Sequence, residues 1–224
     1  MPTEYIWFKK GRESKRTADP EGKHPTLVKI SPSSEIRYSY FDGEDGVRKH
    51  TESHVTNDLE HRDGDNPSYM RYAFDGKVLT RGYRKHGKLH RAGDKPALET
   101  YYTDGAPKVV EYRENGGRHR VGDKPAYKAY GNDGQTYAEG YYVYDELHRD
   151  DDKPAWVVYH RFRSGTPHEV SYYKHGDLHR EGGKPAFIQY DLDGNVVKRR
   201  YYEHGEEKIG EDDIDLLKEL GVDY

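Results

Sequence analysis

The chain has 224 residues, of which 32% are hydrophobic, 35% charged and none cysteine, and its formal net charge is −4. This excludes a thick aliphatic core, a disulfide framework and thiolate metal sites, and it gives no general attraction to nucleic acid or anionic lipid. No run of about 18 apolar residues exists to span a membrane, and the N-terminal MPTEYIWFKKGRESKR lacks the apolar stretch of a signal peptide, so an intracellular protein is expected.

What organises the chain is H-R-x-x-G-D-K-P-A, or a close copy of it, beginning at His61, His90, His119, His148 and His179. The intervals are 29, 29, 29 and 31 residues, the mark of one supersecondary unit used repeatedly. The expected fold is all-β: an elongated array of antiparallel β-hairpins, about five regular units with a degenerate N-terminal unit and a short C-terminal capping helix. The 22 tyrosines supply buried area with a polar tip, which lets a thin sheet hold without aliphatic bulk.

Residues 1–57 read as a worn copy. Glu21-Gly22-Lys23-His24-Pro25-Thr26-Leu27 aligns with Glu181-Gly182-Gly183-Lys184-Pro185-Ala186-Phe187. From Pro25 to Pro67 is 42 residues, one period plus 13, and the excess is placed in the charged stretch around Gly43 to Thr56.

Residues 58–208 are the regular array. In the unit Pro96 to Lys124, Pro96 opens a strand, and Asp104-Gly105 reads as a two-residue hairpin turn. A second strand, Lys108 to Arg113, ends at the turn Asn115-Gly116. Each unit is thus expected to hold two strands and two turns. One tyrosine ladder lies five residues after each proline (Tyr72, Tyr101, Tyr130, Tyr159, Tyr190), and another seven before each histidine (Tyr83, Tyr112, Tyr141, Tyr172, with Tyr201 in phase). The residue after proline is small and the next is large and apolar, so alternation puts apolar surface on both faces. Gly64, Gly93, Gly122 and Gly182 fill the slot three after histidine, where Asp151 stands in the fourth copy; aspartate tolerates left-handed backbone, so the slot is expected at positive φ. Residues 209–224 end the chain, with a helix expected over 211–220. Glu211 to Asp213 suit its N-terminus, Ile214, Leu217 and Leu220 share a side, and Gly221 closes it.

Lys85-His86-Gly87-Lys88-Leu89-His90 and Tyr102-Thr103-Asp104-Gly105 resemble the two turns of a MORN-type repeat, over about residues 58–205 and more weakly 5–57. The usual short Gly-x-Gly after the histidine is here R-x-x-G-D-K-P-A, a variant that resembles repeats in proteins of large DNA viruses and bacteriophages, and more distantly MORN-like bacterial antitoxins. The resemblance implies scaffolding, protein binding or membrane association rather than catalysis, and a viral or phage-encoded protein.

The histidine series invites a metal hypothesis, but two strands per unit at about 4.8 Å put equivalent histidines about 10 Å apart, too far to share an ion. A structural ladder is expected, each imidazole bridging turns of adjacent units. Arg62, Arg91, Arg120, Arg149 and Arg180 recur with Asp65, Asp94, Asp123 and Asp152, Gly183 breaking the acidic series. Exposed Arg–Asp pairing is the expectation, with a basic rail for an acidic partner or phosphate as the alternative. Asp191-Leu192-Asp193-Gly194-Asn195 lacks the glycine and glutamate of a calcium loop and reads as a turn. Neither G-x-S-x-G, a Walker loop nor H-E-x-x-H is present, so no enzyme, cofactor or metal is expected.

The reading is a non-catalytic binding or scaffolding protein with a protein partner, located in a host cytoplasm or a virion. The alternatives are a virion or assembly component, an antitoxin-like inhibitor that captures one protein and, more distantly, a hydrolase. A partner surface should lie where the repeat varies. The position six before histidine changes from Arg84 and Arg113 to Tyr142 and Tyr173, with Tyr202 in phase, and both residue types are favoured at binding hot spots.

Overall fold

The computed structural model describes residues 4–9, 12–16, 27–43, 46–161 and 163–210, with side chains at 27–40, 48–161 and 163–210. The helix expected over 211–220 lies outside the described residues. All described secondary structure is β. The chain divides into two compact units, Met1–Gly116 and Gly117–Tyr224. Among the described residues, no helix is long and apolar enough to cross a membrane.

Within the first unit, antiparallel pairing runs through Arg12–Arg16, Glu4–Lys9, Leu27–Ser31, Ser34–Gly43, Gly46–Thr56, Tyr69–Tyr72, Val78–Gly82, Leu98–Tyr101 and Pro107–Glu111. Within the second it runs through Tyr127–Tyr130, Thr136–Gly140, Trp156–Tyr159, Pro167–Ser171, Phe187–Tyr190, Val196–Glu203 and Glu206–Lys208. From Leu27–Ser31 onward each of these strands is bonded to the next one named within its unit, whereas at the start Glu4–Lys9 lies between Arg12–Arg16 and Leu27–Ser31.

The repeat is richer than two strands. After the long hairpin the chain breaks at the ladder tyrosine and forms a short second hairpin: Arg84–Lys85 with Lys88–Leu89, Tyr142–Val143 with Glu146–Leu147, and Tyr173–Lys174 with Asp177–Leu178. The backbone at the break stays satisfied. Tyr83 N–H donates to Ala97 O at 2.8 Å, and His90 N–H donates to Tyr83 O at 2.9 Å.

Turn chemistry separates the two hairpins, and it reverses one expectation. The Asp-Gly turns are not two-residue loops. Ala73 N–H donates to Lys77 O at 2.8 Å and Gly76 N–H to Ala73 O at 3.0 Å, with Gly76 at φ 83, a three-residue loop closed by a left-handed glycine. The aspartate contributes by accepting from the backbone N–H two residues on, at 3.1 Å for Asp75, 2.9 Å for Asp104 and 3.0 Å for Asp133. The short hairpins carry the two-residue turns, with both residues at positive φ: His86 at 51 and Gly87 at 78, His175 at 51 and Gly176 at 90.

The first copy is also placed differently. His54 N–H donates to Ser68 O at 2.7 Å and His61 N–H to His54 O at 3.0 Å, matching Tyr83 in the next copy. Gly46–Thr56 therefore supplies the second strand of that copy rather than an insertion; the excess length upstream is strand as well, Ser34–Gly43 lying between Leu27–Ser31 and Gly46–Thr56.

The small residue after each proline is the floor of the packing. Ala97, Ala126, Ala155, Ala186 and Ser68 are all 0% exposed. In Ser68 the hydroxyl is satisfied by donating to Gly82 O at 3.3 Å and accepting from Arg84 N–H at 3.0 Å, which removes the cost of burying it. In the second unit the core on this face is aliphatic: Val157, Val170 and Ile188 stand opposite one another and are flanked by Tyr159, Tyr172 and Tyr190. The same ladder in the first unit reads Glu52, Met70, Arg81, Glu99, so polar pairing replaces aliphatic contact there. Glu52 accepts from Lys49 at 2.8 Å and meets His54 Nε2 at 2.9 Å, and these partners hold its carboxyl at about 2.

The slot three after histidine is left-handed in the described copies with Gly64 at φ 75, Gly93 at 80, Gly122 at 77, Asp151 at 64 and Gly182 at 74. Nothing lies within 4 Å of a Cβ built on Gly122, so only backbone strain resists a side chain. Gly122→Ala should lower unfolding stability by about 1–2 kcal/mol, and Asp151→Gly should change it little; urea denaturation of both variants checks this.

Candidate functional site

At three places a copy is joined to the one before it through its arginine. Arg91 lies over the Tyr83 ring at 3.6 Å, its Nη1 donates to Pro96 O at 3.2 Å and its Nε to Asp65 at 2.6 Å. Arg149 repeats the arrangement over Tyr141 at 3.6 Å, with Pro154 O at 3.2 Å and Asp123 at 2.6 and 3.2 Å. Arg180 does so over Tyr172 at 3.7 Å, with Pro185 O at 3.3 Å and Asp152 at 2.6 and 3.2 Å. A lysine adds a second cation to each carboxylate: Lys95 on Asp65 at 2.6 Å, Lys153 on Asp123 at 2.9 Å and Lys184 on Asp152 at 2.8 Å. The aspartate of one loop thus serves the arginine of the next.

The aspartates of these pairs are exposed, at 42–48%, but the arginines are not. The guanidinium side chains are 15%, 17% and 15% exposed, because a ring covers one face and a backbone carbonyl takes one edge. Arginine suits the position since it can stack and donate in a plane at the same time. The cations hold Asp65 and Asp152 at about 2 and push Asp123 lower still. Burial in turn raises the Tyr83, Tyr141 and Tyr172 hydroxyls.

The histidines sit at the same junctions. Nδ1 accepts a backbone N–H from the next short-hairpin turn: His61 from His86 at 3.2 Å, His90 from Asn115 at 3.4 Å, His148 from His175 at 3.2 Å and His179 from His204 at 3.2 Å. Rings stack across the same contact, with centroids at 4.7 Å for His61–His86, 4.3 Å for His119–Tyr144, 4.4 Å for His148–His175 and 4.4 Å for His179–His204. Among the described residues no group of three His, Asp or Glu side chains could hold a metal ion. Asp191 is consumed by its own turn, accepting from the Asp193 and Asn195 N–H groups at 2.9 Å each.

The position six before histidine is half-buried and packed. Arg84 is bonded to Glu60 and lies over Tyr69 at 5.7 Å. Arg113 donates to Glu111 at 2.6 Å and to Gly116 O at 2.7 Å. Tyr142 lies under Arg118 at 5.4 Å, and a Cβ on Gly140 would come within 2.6 Å of its ring. Burial raises the Tyr173 hydroxyl, and Tyr202 is half-buried at its strand end.

The surface that departs most from the repeat lies elsewhere. The slot two after histidine holds Asp63, Ala92, Val121, Asp150 and Glu181; the slot five before it holds Lys85, Glu114, Val143, Lys174 and Glu203; the turn slot after that holds His86, Asn115, Tyr144, His175 and His204. At one junction all three are apolar or aromatic and exposed: Val121 at 67%, Val143 at 39% and Tyr144 at 56%. Val121 and Val143 line a cleft of about 400 Å³ with His119, Tyr142, His148 and Asp150. Tyr144 also has φ 48, a conformation rare for a bulky residue, held by its stack on His119. The variation was readable in the sequence, but its exposure was not.

The depressed aspartates set a pH dependence. A folded pKa below the ordinary 3.8 means the clamp stabilises fully above about pH 4 and is lost as pH falls through about 2. Asp152→Asn should weaken the protein at pH 7 and flatten its loss of stability between pH 4 and pH 2; thermal melts across that range check it.

No family model, curated protein or solved structure matches the chain.

Proposed function

We propose that the chain is a MORN-like, non-catalytic hairpin array that binds a protein partner through the junction of Val121, Val143 and Tyr144. The observation that carries this reading is the simultaneous switch of three exposed slots to apolar residues at one junction of a chain that is otherwise 35% charged. Single exposed apolar residues are ordinary, whereas a cluster beside a cleft needs a reason. A tyrosine held rigidly by stacking on a neighbour makes a low-entropy anchor, and the cleft beside it offers room for a partner side chain. Tyr142 reaches the same cleft, which joins the variable position six before histidine to this surface.

The repeat supplies its own control substitutions. Val121→Asp, Val143→Lys and Tyr144→Asn install residues that other copies carry in these slots, so the fold is retained, and asparagine relieves the left-handed strain of Tyr144. The triple variant should melt at or above the wild-type temperature and lose the partner that wild type retains in quantitative co-purification. Equal capture by both proteins overturns the surface. One stoichiometric partner points to an inhibitor or adaptor, and a set of particle proteins points to an assembly role.

A further inference from the structure

The arginine clamp is complete at Arg91, Arg149 and Arg180 and open at Arg62. Arg62 Nη1 donates to Pro67 O at 3.1 Å, as its counterparts do to Pro96, Pro154 and Pro185. The guanidinium is therefore held in the same orientation, half-buried in its loop. At Arg149 and Arg180 both Nε and Nη2 carry the aspartate of the preceding loop, and at Arg91 Nε does; at Arg62 no carboxylate meets them among the described residues.

The sequence carries no aspartate in the matching slot of the loop upstream. Two residues before Pro67, Pro96, Pro125 and Pro154 stands an aspartate, whereas two before Pro25 stands Lys23. A second copy of the chain would not supply it from its last loop either, because Gly183 stands two before Pro185. Five arginines and four aspartates leave one carboxylate receptor over.

We propose that Arg62, with the Asn66 amide in the place of the second-cation lysines, is a receptor for a carboxylate side chain on an acidic segment of a protein partner. The chemistry is read from the chain itself, since Arg149 and Arg180 hold an aspartate side-on through Nε and Nη2 and Arg91 holds one through Nε. A planar carboxylate matches two donors on one guanidinium edge. The ladder residue of this copy differs: backbone bonds place His54 where Tyr83 stands in the next copy. His54 is itself bonded to Glu52 at 2.9 Å, so it is oriented before any ligand arrives. This inference rests on reading the array as a partner-binding protein, but it uses a different surface from the Val121–Tyr144 junction.

The test follows the arginine side-chain Nε–Hε resonances of the full chain by NMR, with Arg62 assigned through its loss in Arg62→Lys and independently by through-bond correlation. Sodium acetate should shift the Arg62 resonance to saturation and leave Arg91, Arg149 and Arg180 in place. A hexa-aspartate peptide should saturate it at a concentration about tenfold or more below acetate, through its higher local carboxylate density. Three outcomes overturn the proposal: an unmoved Arg62 resonance, equal movement of all four arginines, or saturation by inorganic phosphate at lower concentration than acetate. Retained partner capture with an unmoved Arg62 removes this receptor alone, and lost capture in the Val121 triple variant tests the other surface without touching it.

Discussion

The joint that recurs through this protein is an arginine held on three sides at once, at Arg91, Arg149 and Arg180. A tyrosine ring supports the guanidinium from below, a proline carbonyl fixes one edge, and the aspartate of the preceding loop closes the other. Each contact alone is of modest strength near water. Together they fix a long side chain whose freedom would otherwise cost as much as any one contact returns. The clamp therefore does for this chain what a thick aliphatic core does for others, and it explains how a protein with 32% hydrophobic residues keeps a regular fold. The carbonyl at its centre belongs to the proline just before the strand that follows.

The histidine is the second half of the same joint. By accepting through Nδ1 it leaves the proton of the neutral ring on Nε2, where Asp63 lies at 3.1 Å from His61 and Asp150 at 3.2 Å from His148. Arginine ties the loops together, and histidine ties each loop to the next short hairpin. The H-R dipeptide is thus a two-way fastener between neighbouring loops and hairpins.

Much of this was legible in the sequence, because repetition exposes what is structural. The all-β architecture, the strand openings at proline, the left-handed slot at Gly122 and Asp151 and the small buried residue after proline all follow from spacing and residue type. What was not legible has identifiable causes. Asp104-Gly105 and Asn115-Gly116 are equally good turn dipeptides, and only backbone geometry shows that the second closes a two-residue turn while the first needs three. The offset by which Asp65 serves Arg91, rather than its neighbour Arg62, is a spatial fact; the unequal counts of arginine and aspartate were its only trace. His54 escaped notice because it is a histidine in a tyrosine slot. The surface at Val121, Val143 and Tyr144 depends on exposure, which a sequence does not carry.

That offset has a kinetic side. The aspartate–arginine bonds span 26 residues for Asp65–Arg91 and Asp123–Arg149 and 28 for Asp152–Arg180. The distance along the chain is set by the period and not by the length of the array. Adding copies would lengthen the protein without lengthening its loops, so the entropy of closing each joint stays constant and growth proceeds by zippering from any formed pair. The same locality means that unravelling starts where a joint has one side missing. At Gly183 the loop has no carboxylate to offer onward, so the last described hairpin, Val196–Glu203 with Glu206–Lys208, is joined to the array by backbone bonds and by the His179–His204 contact without a clamp behind it.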